Sequence, residues 1–148
     1  MAYVGVVGPS DASDEEVEAA EALGLGLAQA GHVVVCGGLG GVMAAVSRGA
    51  AQGGGLVVGL LPGTDRGDAN EHVTVAIPTG LGELRNGLLV HTCDVVVSIG
   101  GSWGTLSEVA LAVRTGVPVL ALGGWDLPPG PVPVASVAEA LDRLGVVR

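Results

Sequence analysis

The sequence predicts an α/β fold, a doubly wound parallel sheet with helices on both faces. Three observations predict it. Short apolar segments alternate with longer segments of helical period along all 148 residues. The short segments, such as Val95–Ile99, are continuous Val/Ile/Leu runs, as strands buried on both faces require. Glycine clusters stand at the ends of these runs, where βα turns are tight. The length suits one domain spanning residues 1–148.

The elements follow in order. Tyr3–Gly8 is the first strand and ends in Gly8-Pro9-Ser10. Ser13-Asp14-Glu15-Glu16 has the S-x-x-E form of a capping box. The helix it opens runs to about Gly31, with Val17, Ala20, Gly24, Leu27 and Gly31 on one face. Small residues on that face predict a close approach to the sheet. His32–Cys36 is the second strand, and Gly37-Gly38-Leu39-Gly40-Gly41 is its turn. Val42, Val46 and Ala50 carry a helix that ends near Gly53-Gly54-Gly55.

Leu56–Leu61 is the third strand and runs into a polar loop over Pro62–Asn70. That loop is long for a fold whose connections usually take about two to six residues. Val73–Ile77 is the fourth strand, stopped by Pro78-Thr79-Gly80. A helix from about Gly82 to Thr92 presents Arg85 and Asn86 in its first turns. Val95–Ile99 is the fifth strand, and Leu106, Val109, Ala110 and Val113 mark the apolar stripe of the next helix. Val117–Leu122 is a sixth strand, and Val134–Leu144 a closing helix.

Composition removes several function classes. Six Lys+Arg against fifteen Asp+Glu give a net charge of −9, too few cations to neutralise a nucleic-acid backbone. All six cations are arginines. Without lysine there is neither a Walker A loop nor the Schiff base of pyridoxal phosphate chemistry. Aromatics make up only 2% and Phe is absent, so the core must be built of Val, Leu, Ala and Gly.

Cys36 and Cys93 form no CxxC and read as small buried hydrophobes in a reduced compartment. His32, His72 and His91 have no ligand partner at helical spacing, so no metal site is expected. Ser10, Ser102 and Ser107 lack a hydrolase motif. There is no basic leader, and no apolar run nears the ~20 residues of a membrane span. The expectation is a cytoplasmic protein with no membrane or nucleic-acid partner.

Three features point to a phosphate. Gly100-Gly101-Ser102-Trp103-Gly104-Thr105 precedes a well-patterned helix, and free N–H groups at a helix start bind anions. Arg85 offers a planar contact to the same group, unless it simply pairs with Glu83 at the surface. Gly37–Gly41 is richer in glycine than a turn needs, though its spacing is not the dinucleotide fingerprint. One ambiguity concerns Glu108. Thr105-Leu106-Ser107-Glu108 is itself a T-x-x-E capping box, in which Glu108 folds back; a working Glu108 must instead point along the ligand.

Together Gly37-Gly38-Leu39-Gly40-Gly41-Val42-Met43, Arg85, Asp94 and Gly100 through Glu108 resemble the LOG-type Rossmann superfamily, over Val4 to about Val119. That group includes the "Lonely guy" nucleoside 5′-monophosphate phosphoribohydrolases and molybdenum cofactor carrier proteins. The hydrolases carry Arg-Lys and Pro-Gly-Gly-x-Gly-Thr-x-x-Glu. Here Asn86 replaces the lysine, Gly100 the proline and Ser102 the second glycine, which resembles the carrier branch.

The resemblance implies a Rossmann-like fold, a homo-oligomer (dimer or tetramer) and a phosphorylated small-molecule ligand. That ligand is molybdenum cofactor in a carrier, with no required cofactor, or a nucleoside monophosphate in a hydrolase. Arg85 and Glu108 fall at the hydrolase's catalytic pair. Ligand contacts are expected at Gly8, Ser10, Gly37, Gly38, Gly40, Gly41, Met43, Asn86, Gly100, Gly101, Ser102, Gly104 and Thr105. Arg66 and Asn70, in the Thr64–His72 loop, are further candidates. The lysine decarboxylase label often attached to such chains does not suit a lysine-free protein.

Overall fold

The computed structural model describes residues 1–145. Seven parallel strands form one sheet: β1 (Tyr3–Val7), β2 (Val33–Cys36), β3 (Val57–Leu61), β4 (Val75–Pro78), β5 (Val95–Ile99), β6 (Val119–Leu122) and β7 (Val132–Val134). Their spatial order is β4-β3-β2-β1-β5-β6-β7. The chain therefore winds outward from β1 to one edge, returns, and winds outward again from β5. Between the strands run α1 (Asp14–Gln29), α2 (Val42–Gln52), α3 (Arg85–Thr92) and α4 (Trp103–Thr115), and α5 (Val137–Leu144) closes the described chain.

Alternate strand residues feed two cores. Val4, Val6, Val95, Val97 and Ile99 pack with α1, α2 and α5 on one face. Val7, Val33, Val35 and Val96 pack with Leu89 and Val90 of α3 and Val109 and Ala112 of α4 on the other. The strand interiors are buried on both sides, which is why their sequences show no polar alternation.

The first capping box forms as its spacing requires: Ser13 Oγ accepts from Glu16 N at 3.2 Å and Glu16 Oε1 accepts from Ser13 N at 2.9 Å. The small face of α1 packs on α2 rather than on the sheet alone. A Cβ on Gly24 would collide with the Val46 carbonyl oxygen, and one on Gly49 with that of Glu21. Only glycine allows these two helices to cross so closely.

The C-terminal end differs from the sequence reading. Val134 does not open a helix; it ends β7, which pairs with β6 through Leu120↔Val132 and Leu122↔Val134. Pro131 and Pro133 fix extended backbone and lack an N–H, so they suit an edge strand and cannot enter a helix interior. The helix starts at Val137 instead, capped by Ser136 Oγ on Glu139 N at 3.1 Å. Earlier in the chain, the turn Gly82–Leu84 is 3-10, and the α-helix begins at Arg85 itself.

Candidate functional site

The strand order reverses between β1 and β5, and the crevice at the carboxyl ends of such strands is where sheets of this kind bind ligands. A cleft of about 240 Å³ lies there. The end of β1 contributes Gly8 and Ser10; the turn after β2 and the start of α2 contribute Gly37 and Met43. Arg85 and Asn86 enter from α3, and Ser102, Gly104, Thr105 and Glu108 from the start of α4. Four segments distant in sequence thus converge.

Arg85 is buried in the wall. Its Nε donates to Leu60 O at 2.8 Å, and its Nη1 donates to Asn86 Oδ1. Its Nη2 lies against Gly37, where a Cβ would come within 2.5 Å of it and 2.6 Å of Met43 Sδ. The glycine is required because the guanidinium occupies that space. The surface pair with Glu83 is not formed; Arg85 is turned inward and held by Leu60 and Asn86.

Asn86 explains its own place in the pattern. Its Oδ1 accepts from Arg85 while its Nδ2 donates to Ser107 Oγ at 3.2 Å, and Ser107 Oγ donates to Gly104 O at 2.7 Å. A relay therefore ties the guanidinium to the first turn of α4. A lysine at position 86 has no acceptor and cannot make this link. Ser107 carried no expected ligand role, and its part in the relay is set by a bond across 21 residues that no local motif signals.

The start of α4 resolves the Glu108 ambiguity. Ser102, not Thr105, is the N-cap: Ser102 Oγ accepts from Thr105 N at 3.2 Å and shares a hydrogen bond with Thr105 Oγ1 at 2.8 Å. The helix begins before the T-x-x-E reading allows, so Glu108 sits in the second turn and lines the cleft. Because Ser102 serves the Thr105 N–H, helix geometry leaves the N–H groups of Trp103 and Gly104 to face outward. Burial pushes the Glu108 carboxyl up to about 7, with the Arg85 guanidinium pulling the other way.

Five expected contacts do not line this cleft. Gly38 (φ +77°) lies over Gly59 and Leu61, and its carbonyl accepts from Asn70 N at 2.8 Å. Gly40 is exposed. Gly41 (φ +63°) lets the turn approach the Pro9 and Ser10 carbonyls. Gly100 (φ +67°) faces the Glu16 carboxylate, and Gly101 lies beneath the Trp125 indole. Asn70 is likewise bound to its own fold: its Nδ2 donates to Leu39 O at 3.0 Å. Arg66 is exposed in a 3-10 turn.

A larger hollow of about 660 Å³ opens beside Glu15, Glu16 and Gly100, between the starts of α1 and α5. Its two carboxylates repel phosphate, and Glu16 is committed to the α1 cap. The smaller cleft has the chemistry. Elsewhere, burial pushes both thiols up, Cys93 to about 12, so neither is a ready nucleophile. Among the described residues no group of three His, Cys, Asp or Glu side chains can hold a metal ion, and no helix is long and apolar enough to cross a membrane.

Comparison with known proteins adds three close relatives. The model of the SLOG cluster4 family matches residues 1–141. A protein of Archaeoglobus fulgidus is 40% identical over 122 residues, covering 82% of this chain and 80% of that one. Among solved structures, the molybdenum cofactor binding protein of Rippkaea orientalis superposes with a TM-score of 0.93 at 34% identity, covering 98% of this chain and 96% of that chain. The molybdenum cofactor carrier protein of Chlamydomonas reinhardtii gives a TM-score of 0.89 at 30% identity over 99% and 98% of the two chains.

Proposed function

The chain belongs to the SLOG cluster4 family, and on that premise we propose that it is a binding protein for a phosphorylated pterin of the molybdenum cofactor type. The observation that carries this reading is the relay Arg85–Asn86–Ser107–Gly104, which aims a buried guanidinium and a helix start at one cleft. The phosphate is held by the Trp103 and Gly104 N–H groups and by one hydroxyl of the Ser102–Thr105 pair, the other hydroxyl donating to its partner. Arg85 adds a charged, planar contact. A pterin ring presents amide and amine donors and acceptors, and Glu108, titrating near neutrality, can meet either.

Gly8, Ser10, Gly37 and Met43 form the facing wall. The cleft is smaller than the roughly 300–1,000 Å³ of enclosed ligand sites, so the ligand extends past its rim at Pro62 and Glu83. The protein's own part is to bind, orient and shield. The reading includes a homo-oligomer, for which the exposed Leu84 of the 3-10 turn, Leu88 of α3 and Leu111 of α4 supply an apolar face.

One observation favours a second reading. An acid whose carboxyl titrates near 7 beside an arginine suits N-glycosidic hydrolysis of a nucleoside 5′-monophosphate. There Glu108 activates the water that adds to C1′, and the base departs with a proton. The two readings separate cleanly. Holding without turnover predicts no free base or ribose 5-phosphate from any nucleoside 5′-monophosphate, and AMP affinity that survives Glu108→Gln. Product formed by the wild-type protein and abolished in Glu108→Gln makes it a hydrolase.

A further inference from the structure

Trp125 lies outside the cleft, yet it grips the loop that shapes it. We propose that Trp125 is a positioning residue: from behind, it holds the Gly100–Ser102 loop and the first turn of α4 in line for a phosphate. The proposal rests on the phosphate-binding reading above.

Three contacts carry it. The indole covers Gly101 so closely that a Cβ there would lie 3.0 Å from Trp125 Cδ1 and 3.1 Å from Nε1. The same ring meets Trp103 edge to face, with centroids 4.8 Å apart at 73°. One residue earlier, Gly124 (φ +95°) approaches until a Cβ would stand 2.5 Å from the Gly100 carbonyl oxygen. The loop after β6 therefore interlocks with the loop after β5 at Gly100, Gly101 and Trp103.

The need for such a grip follows from the loop's composition. Gly100 and Gly101 have no side chains to anchor them, and glycine has the most conformational freedom to lose. The donors they precede must keep direction, because hydrogen bonds weaken steeply as their angle departs from linear. The Asn86–Ser107 relay steadies Gly104 from the cleft side, and Trp125 supplies the opposite jaw. The chain has only two Trp and one Tyr, and both tryptophans meet at this joint. Trp103 is 79% exposed, so its described partner is Trp125 rather than a core.

Inorganic phosphate is the probe. Calorimetric titration of wild type, Trp125→Ala and Trp125→Phe should give about tenfold weaker binding for the alanine variant, the loss expected when one charge-assisted hydrogen bond is misaligned. Trp125→Phe, which keeps a ring on Gly101, should stay near wild type. Amide exchange at Gly101, Trp103 and Gly104 should accelerate in Trp125→Ala only. Should Trp125→Ala fail to fold, Gly101→Ala, which wedges a methyl under the indole, must reproduce the phosphate loss. Phosphate binding by wild type that these variants retain overturns this proposal alone. A wild-type protein that binds no phosphate overturns the cradle reading, and this proposal with it.

Discussion

Glu108 sits in the second turn of α4 with 8% of its surface exposed, and its environment sets both its chemistry and its cost. Its carboxyl is raised from 4.5 to about 7, so the folded protein holds that proton more tightly than the unfolded chain. Stability from this group is therefore fully present below about pH 4.5, declines as pH rises to about 7, and stays low above. The difference is about 3 kcal/mol. Glu108→Gln removes it: the variant should be more stable than wild type at pH 8, with the gap closing at pH 5, as denaturant midpoints will measure. Equal gaps at both values contradict the burial of an ionisable Glu108.

How much of the site the sequence revealed depends on the range of each interaction. Arg85, Thr105 and Glu108 could be singled out because a glycine loop before a patterned helix is a local signal. Their arrangement could not. The cap moved from Thr105 to Ser102 because the Ser102 hydroxyl reaches Thr105 N, a contact that the T-x-x-E spacing does not signal. Asn86 was legible as an expected ligand contact standing where a lysine would fall; its two-sided amide appears once Ser107 is brought beside it.

At the scale of elements, the glycines divide by what touches them. Gly37 yields space to Arg85, whereas Gly24 and Gly49 yield it to a neighbouring helix backbone. At Gly49 the obstacle is the Glu21 carbonyl, which no rotamer change can move. Gly49→Ala should cost roughly 3 kcal/mol, the upper range for overpacking, which lowers Tm on the order of 10 °C in a chain of this size. A thermal melt within a degree or two of wild type would mean that α1 and α2 do not cross as described. The strands and the first four helices follow from apolar period and glycine punctuation. β7 did not, because three residues with a proline between two valines carry no strand period, and their pairing with β6 is tertiary.

For the whole molecule, the sheet order matters more than any single motif. Winding outward twice from neighbouring strands leaves one crevice at the β1–β5 junction, and the four segments of the cleft meet there. The net charge of −9 disfavours large polyanions without disfavouring one phosphate, because the local field of Arg85 and a helix start acts within the cleft. The apolar face made by Leu84, Leu88 and Leu111 should drive self-association: light scattering should give a dimer or tetramer, and a monomer at all concentrations would refute that role.

The measurement that bears most directly on the central claim is retention of molybdenum cofactor. Cofactor freshly released from a molybdoenzyme is mixed with the protein, passed through gel filtration, and read by the fluorescence of its oxidised pterin. The wild-type protein should carry pterin in its own elution peak, and folded Arg85→Met should carry about a tenth as much or less, as loss of a charged hydrogen-bond partner implies. Folded wild-type protein that elutes without pterin, or an Arg85→Met variant that retains it equally, would contradict the account.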